Sequence, residues 1–278
     1  MTVQLSKLHA TGNDFLVTTA PLTARDAVAL CDRFTGVGAD GLLILGPGRH
    51  GADATMTLYN ADGTVAEMSG NGARCLAWAA RREGMGSPQR LVVDTGGGRR
   101  TLDLELDASG MVCSAVCDMG AVTFSPVQIP VVGTTAFDLP VEIDGVAVAA
   151  DAAGIGNPHL VVFVDDPYTT DVVRAGSRLE HDDRFPNRVN VEFVAVTQPD
   201  VISMRVWERG VGETQSCGTG ACAVAAVAYR RGLVGSVVSV KAPGGALRVE
   251  LGETVQLGGP VTHVFDVDVD LSAWRDDA

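Results

Sequence analysis

Short apolar runs rich in β-branched residues recur along the chain, separated by polar and glycine-rich turns. They predict strands over residues 42–45, 91–93, 101–106, 161–164, 189–196, 202–207 and 237–242. Helical spacing is confined to LTARDAVALCDRF at residues 22–34 and to two alanine-rich stretches, residues 73–82 and 221–231. Strands therefore outnumber helices, and the pattern predicts an α+β fold.

The two alanine-rich helices belong to an internal repeat. EMSGNGARCLAWAA in the first half matches QSCGTGACAVAAVA in the second, which aligns Ser69 with Cys217. Earlier in each half, TGNDFLV matches IGNPHLV at nearly the same spacing and aligns Asn13 with Asn157. Two features repeated in the same order indicate a duplicated domain.

The repeat predicts two pseudo-symmetric domains, each a β-sheet wrapped around a central helix, with the active site in the cleft between the domains. Each central helix follows a glycine-rich turn and ends at a glycine, Gly84 or Gly232. We expect the first domain to span residues 1–118 and the second residues 119–261. The closing VTHVFDVDVDL alternates like an edge strand, so we expect residues 262–278 to return to the first domain.

Composition and net charge indicate which kinds of partner the protein binds. A chain of 278 residues with 46% hydrophobic content can bury a large core. Its net charge of −13 would repel nucleic-acid phosphates and anionic lipid, so we expect neither a nucleic-acid partner nor a membrane partner. A small-molecule partner fits this charge better.

Whether the cysteines are thiols or disulfides depends on the cellular compartment of the protein. The first residues lack a basic stretch followed by an apolar one, and no apolar run approaches about twenty residues, so we expect a cytoplasmic protein. In that compartment cysteines are expected to be thiols. The six cysteines are Cys31, Cys75, Cys113, Cys117, Cys217 and Cys222.

Two further motifs could suggest ligand binding, but neither has the required context. GVGADG, residues 36–41, satisfies the dinucleotide-binding glycine pattern, yet it follows a predicted helix and precedes a predicted strand, the reverse of the required order. We interpret it as a tight turn. Cys113 and Cys117 have no second ligand pair nearby, so we expect no metal site there.

The two repeated glycine-rich turns are the remaining candidates. Cys217 starts a predicted helix, where the positive end of the helix dipole lowers the pKa of a thiol. The sequence therefore predicts appreciable thiolate at Cys217. Two acid/base groups from duplicated sites could act on opposite faces of one bound carbon, as inversion of a stereocentre requires.

The lysine content bears on whether that chemistry uses a cofactor. Pyridoxal phosphate needs a lysine for its Schiff base. The chain has only Lys7 and Lys241, both in strand-like stretches without a phosphate-binding turn beside them. A cofactor-free reaction is favoured.

Several motifs in order resemble the diaminopimelate epimerase family along nearly the whole chain. They are KLHATGNDF, GADG, YNADGTVAEMSGNGARC, GNPH, NVEF, MRVWERGVGETQSCGTGACA and KAPGGALRVE. The resemblance implies interconversion of LL- and meso-diaminopimelate without a cofactor, on the pathway to lysine and the bacterial cell wall. It also implies a homodimer.

The resemblance also assigns candidate roles to individual residues. Cys217 would be one acid/base, and His159 would lie beside the site and tune a thiol. Asn13 and Glu208 would orient the reacting centre. The reacting carboxylate would be bound by the amides of Gly70, Asn71, Gly218 and Thr219. The distal amino-acid end would be bound by Asn60, Asn157, Asn190 and Arg209.

Ser69 stands where the family pattern has its first catalytic cysteine. A hydroxyl is a far weaker acid than a thiol and a poor proton acceptor without a neighbouring base. Three explanations stay open: a replacement introduced to trap substrate, a natural change with reduced or different chemistry, and a polarised hydroxyl that works. Cys75 is expected on another helix face, where it would not substitute.

A second departure is Gly41, where many family members carry glutamine. The absence of the glutamine side chain removes a polar contact and weakens the case for the usual substrate. Two enzyme alternatives therefore stay open: a racemase or epimerase for another amino acid, and a dehydratase. The non-enzymatic alternative is a protein that binds diaminopimelate without turning it over.

Overall fold

A computed structural model of the protein describes residues 2–272. The chain forms two compact units. Unit 1 contains the residues up to Asp118 and those from Gly258 onward, and unit 2 contains Met119–Leu257. The sequence prediction set the second boundary at residue 261, whereas the structure sets it within a strand.

Unit 1 begins with eight strands and two helices. These are β1 (Thr2–Ala10), β2 (Asn13–Thr18), α1 (Ala24–Cys31), β3 (Gly41–Pro47), β4 (Ala54–Asn60), β5 (Val65–Ala66), α2 (Gly70–Arg82), β6 (Arg90–Thr95), β7 (Gly98–Leu106) and β8 (Val112–Asp118). Strand pairing alternates in direction: β1–β2 is antiparallel, β2–β3 parallel, β3–β4 antiparallel, β4–β6 parallel and β6–β7 antiparallel. The short β5 lies antiparallel to β4.

Unit 2 repeats this arrangement. Its elements are β9 (Leu139–Ile143), β10 (Val146–Gly154), β11 (Pro158–Phe163), α3 (Val172–Leu179), β12 (Asn190–Gln198), β13 (Val201–Glu208), β14 (Gly212–Thr214), α4 (Gly218–Arg230), β15 (Val237–Ala242), β16 (Gly245–Leu251) and β17 (Val255–Pro260), the last crossing the boundary between units. β10–β11 is antiparallel, β11–β12 parallel, β12–β13 antiparallel, β13–β15 parallel and β15–β16 antiparallel. The duplicated α+β fold predicted from the sequence is confirmed.

The last described strand, β18 (Thr262–Asp270), belongs to unit 1 and runs antiparallel to β1. Its register pairs Thr2 with Asp270 and His9 with Thr262. β1 is therefore hydrogen-bonded to β18 on one side and to β2 on the other.

The alanine-rich helices form the centres of the two units. In α2, every residue from Gly70 to Ala80 is buried, and the helix packs against β1, β2 and β8. In α4, Gly218 and the residues from Gly220 to Ala228 are buried, and the helix packs against β10, β11 and β16. Each helix ends two residues before a glycine with a left-handed backbone: Gly84 has φ of +72° and Gly232 has φ of +71°.

The structure adds a helix that the sequence analysis missed. α3 starts after Asp171, whose carboxylate accepts a hydrogen bond from the Arg174 amide at 3.1 Å. Its interior Gly176 lowers helix propensity, which weakens the sequence signal. Tertiary packing explains this glycine, because a Cβ at Gly176 would lie 2.5 Å from Cβ of Trp207.

GVGADG lies between α1 and β3, the helix-then-strand order that the sequence predicted. Thr23 and Asp26 cap the start of α1 reciprocally, and Gly38 in the turn has φ of +82°. None of the helices within residues 2–272 has both the length and the apolar character needed to cross a membrane.

Candidate active site

Ser69 is the capping residue at the start of α2. Its backbone is extended, with φ of −143° and ψ of 121°, and its Oγ accepts a hydrogen bond from the Gly72 amide at 3.0 Å. An oxygen at this position satisfies one of the amides that the first turn of a helix leaves without an acceptor. The repeat thus places the Ser69 hydroxyl at a helix N-terminus.

Two predicted binding residues meet beside this turn. Asn71, 2% exposed, donates from Nδ2 to Oδ1 of Asn13 at 3.1 Å. Asn13 donates to Asp40 at 2.7 Å, and Arg74 donates to Oδ1 of Asn71 at 2.6 Å. These contacts hold Asn13 and Asn71 in fixed orientations next to Ser69.

Asn60 is the last residue of β4, next to the turn that leads to β5. Its Nδ2 donates to Oγ1 of Thr64 at 3.0 Å, so its side chain has a partner within its own turn. The amide of Ala61 donates to the carbonyl oxygen of Asp40 at 3.1 Å. Because the Asp40 carboxylate binds Asn13, the structure brings Asn60 into the same region as Asn13.

Cys217 occupies in α4 the position that Ser69 occupies in α2. Its φ of −122° and ψ of 116° are again extended, and its Sγ accepts a hydrogen bond from the Gly220 amide at 3.4 Å. Oγ1 of Thr219 lies 3.5 Å from Sγ, and Cys217 is only 5% exposed.

The prediction that Cys217 carries appreciable thiolate is wrong. Desolvation by burial, followed by the negative charges of Glu208 and Glu192, raises the pKa of the Cys217 thiol well above its usual value. Hydrogen bonds from Thr219 and Gly220 lower this pKa, but by less. The helix N-terminus is therefore outweighed by its surroundings, and Cys217 holds a proton at neutral pH.

Glu208, at the end of β13, contacts the thiol directly. Desolvation raises the pKa of its carboxyl group, and the charge of Glu192 raises it further. Hydrogen bonds from Thr214 and Cys217 act in the opposite direction. Two groups with raised pKa values, one carboxyl and one thiol, are thus in contact, an arrangement found where proton transfer is catalysed.

Glu192 is a functional candidate that the sequence reasoning missed. It is fully buried, and its Oε1 lies 2.6 Å from Nδ1 of His159, which is also fully buried. Alternation along the strands explains their placement. On one face of β11 and β12 the side chains of Leu160, Val191 and Phe193 belong to the apolar core of unit 2. His159 and Glu192 lie on the other face of the same two strands. A buried acid between apolar neighbours in VNVEFVAV was the available signal.

Asn157 connects this pair to the start of α4. Its Oδ1 lies 2.9 Å from Nε2 of His159, and its Nδ2 donates to Oγ1 of Thr219 at 3.4 Å. The structure therefore brings together Asn157, His159, Thr219 and Cys217. Glu208 joins them through its contact with the thiol, and Gly218 because it lies between Cys217 and Thr219.

Asn190 and Arg209 form a neighbouring pair. Asn190 accepts a hydrogen bond from the Arg209 amide at 2.9 Å and donates to the carbonyl oxygen of Pro158 at 2.9 Å. The exposed guanidinium of Arg209 donates to the carbonyl oxygen of Asn187 at 3.1 Å. Asn190 thus links the first residue of β11 to the residue that follows β13. Its contact with substrate stays a prediction.

Cys75 lies in the interior of α2 with no exposed surface. Burial raises the pKa of its thiol to about 12. As the sequence analysis expected, Cys75 is not placed to replace the cysteine missing at position 69.

Lys7 would be one of two candidate Schiff-base lysines, but its amine is engaged within unit 1. It pairs with the Asp14 carboxylate at 2.5 Å and donates to the carbonyl oxygen of Gly38. Over residues 2–272, no cluster of three or more His, Cys, Asp or Glu side chains could hold a metal ion.

Solved structures with a similar architecture define the fold class. A probable proline racemase from Agrobacterium radiobacter K84 matches with a TM-score of 0.77 and 18% identity over 99% of this chain and 94% of its own. A phenazine biosynthesis protein of the PhzF family from Bacillus anthracis matches with a TM-score of 0.70 and 15% identity over 97% and 99%. The chain thus has the duplicated fold of proline racemases and PhzF proteins.

Sequence similarity identifies the family within this fold class. The family model of diaminopimelate epimerase matches residues 5–125 and 152–263. Diaminopimelate epimerases of Pseudomonas entomophila and Synechococcus elongatus are 40% and 38% identical, over 98% of this chain and their full lengths. The chain belongs to the diaminopimelate epimerase family, and it is an isomerase of the epimerase type.

Proposed function

We propose that this protein interconverts LL- and meso-diaminopimelate by removing and replacing the α-proton without a cofactor. The observation that carries the proposal is Cys217, a buried thiol at a helix N-terminus in contact with Glu208, within a chain of this family. In its protonated state Cys217 can deliver a proton to the α-carbon. We assign Glu208 to exchanging a proton with that thiol.

The two helix N-termini supply the electrostatic part of the reaction. The amides of a first helical turn have no acceptor within the helix and favour negative charge. Gly70 and Asn71 occupy this turn in α2, as Gly218 and Thr219 do in α4. We assign these amides to the substrate carboxylate, which gains negative charge as the α-proton leaves.

The mechanism uses two acid/base groups, Cys217 and Ser69. Ser69 makes its own step inefficient, because its hydroxyl is a weak acid whose oxygen already accepts a hydrogen bond from the Gly72 amide. Asn13, Asn60, Asn157, Asn190 and Arg209 are assigned to orienting the substrate, and His159 to tuning the thiol. The remaining assignments rest on the family: lysine biosynthesis in the cytoplasm, and a homodimer, which light scattering would test.

Incubation with each isomer in D₂O tests the activity. NMR would follow α-deuterium and chiral chromatography the stereochemistry, with Ser69→Cys as the matched variant. Since loss of one acid/base group costs roughly 10²- to 10⁴-fold, we expect Ser69→Cys to invert faster by about that factor. If neither protein exchanges the α-proton of either isomer, the proposed function is wrong, and binding measured by calorimetry would then identify a non-catalytic diaminopimelate-binding protein.

A further inference from the structure

Glu192 belongs to a continuous series of side-chain contacts that ends at Cys217. Its Oε1 lies 2.6 Å from Nδ1 of His159, and Nε2 of His159 lies 2.9 Å from Oδ1 of Asn157. Asn157 donates to Oγ1 of Thr219 at 3.4 Å, and this hydroxyl lies 3.5 Å from the Cys217 thiol. A carboxylate on β12 is thereby connected to the acid/base on α4.

The contact between Glu192 and His159 determines where protons lie. A distance of 2.6 Å between a carboxyl oxygen and a ring nitrogen requires one proton between them. At the other ring nitrogen, Oδ1 of Asn157 can only accept, so Nε2 of His159 must carry a proton. The directions of the two following hydrogen bonds are then fixed: His159 donates to Asn157, and Asn157 donates to Thr219.

Packing places Glu192 against the first turn of α4 as well. A Cβ at Gly220 would lie 2.6 Å from Oε1 of Glu192 and 3.3 Å from Sγ of Cys217. The carboxyl group and the thiol therefore converge on the small space that this glycine leaves open. Among the described residues, Oε2 of Glu192 has no hydrogen-bond partner. A buried carboxylate oxygen without a partner destabilises the fold, so a contribution to stability does not explain this carboxylate.

We propose that Glu192 is a positioning residue for the Cys217 half of the site. By sharing a proton with Nδ1 of His159, it keeps Nε2 protonated and directed at Asn157. Asn157 then presents its Nδ2 to Thr219 beside the thiol. The inference rests on the proposed function only for its catalytic consequence, because the proton arrangement exists without substrate.

Two variants separate hydrogen bonding from volume. Glu192→Gln keeps a hydrogen-bonding group opposite Nδ1, whereas Glu192→Leu keeps a similar volume and offers Nδ1 no partner. In the Ser69→Cys background we expect Glu192→Leu to lower kcat roughly 10- to 100-fold, by analogy with removal of the partner that orients a metal-binding histidine. Glu192→Gln should retain the larger part of kcat.

Asp151→Asn is the matched control, because Asp151 is a buried carboxylate of the same unit. It is 1% exposed and accepts a hydrogen bond from the Asp138 amide at 3.1 Å, and it is paired with Arg231. This variant should unfold at a lower temperature with kcat unchanged. If it lowers kcat as much as Glu192→Leu does, the loss reflects any missing buried carboxylate and the proposal is overturned.

A substrate-free measurement decides the proton arrangement. In ¹⁵N NMR spectra, with His159 assigned by comparison with His159→Asn, we expect a protonated Nε2 in the unmodified chain and a changed ring pattern in Glu192→Leu. A bare Nε2 in the unmodified chain overturns the proposal, as does a kcat for Glu192→Leu equal to that of its parent. If Ser69→Cys exchanges no α-proton, the proposed function fails while the NMR result still judges Glu192.

Discussion

The protonation of Cys217 depends on two carboxyl groups, those of Glu192 and Glu208, which approach the thiol only in the folded chain. Glu192, Glu208 and Cys217 lie on β12, at the end of β13 and at the start of α4. Burial and the two carboxylates raise the pKa of the thiol, although its place at a helix N-terminus acts in the opposite direction. Position within a helix was therefore an insufficient guide to this residue.

Removing the charge of Glu208 should lower the pKa of Cys217 and increase its thiolate fraction at neutral pH. We expect Glu208→Gln to be alkylated by iodoacetamide faster at Cys217, with the rate rising at lower pH than in the unmodified chain. Peptide mass spectrometry would follow Cys217 separately from the partly exposed Cys113. Glu250→Gln, which removes an exposed carboxylate of unit 2, should leave the rate unchanged, and an unchanged rate in Glu208→Gln would contradict the electrostatic explanation.

At the scale of elements, the two repeated helix starts share a cap but differ in what surrounds it. A Cβ at Gly72 would lie 3.2 Å from Cβ of Ser69, and one at Gly220 would lie 3.2 Å from Cβ of Cys217. The contacts with other residues differ: Cδ2 of Leu43 would lie 3.5 Å from the Cβ at Gly72, whereas Oε1 of Glu192 would lie 2.6 Å from the Cβ at Gly220. The same turn therefore meets an apolar side chain in unit 1 and a buried acid in unit 2.

This difference predicts unequal effects of alanine. Gly220→Ala should displace the carboxyl group of Glu192 and lower both the midpoint of thermal unfolding and the rate of α-proton exchange. Gly72→Ala should be tolerated better, because its additional contact is an ordinary one with a leucine methyl group. Equal changes in the two variants, measured by circular dichroism and by deuterium uptake, would show that Glu192 does not fill the space above Gly220.

The glycine at position 41 is explained by strand packing. Gly41 pairs with Asn60 across β3 and β4, and a Cβ there would lie 2.8 Å from the carbonyl oxygen of Tyr59. Gly41→Gln should therefore destabilise the protein by about 1–3 kcal/mol. Gly41→Ala should show most of the same loss in urea unfolding, since the clash begins at Cβ; a stable Gly41→Gln would mean that β4 shifts readily.

At the scale of the whole molecule, unit 1 is completed by the end of the chain. β18 pairs with β1 over most of its length, and Val269 and Leu271 join the buried cluster that includes Val3 and Leu5. The stability of unit 1 therefore depends on residues that follow unit 2 in sequence.

Deleting the chain from Thr262 onward should expose one side of β1. We expect faster amide hydrogen exchange in β1 and β2, with protection kept in the β15–β16 pair of unit 2, which has partners within its own unit. Mass spectrometry of the truncated and full chains provides the comparison. Uniform loss of protection in both units would show that they do not unfold separately.

The sequence by itself determined the duplication, the two central helices with their glycine-rich starts, and the equivalence of Ser69 and Cys217. These follow from local patterns and from a repeat, which a single chain displays directly. Only the tertiary structure decided the environment of the thiol, the Glu192–His159 pair and the need for Gly41. These depend on side chains from strands distant in sequence, whose distances and burial no local pattern records.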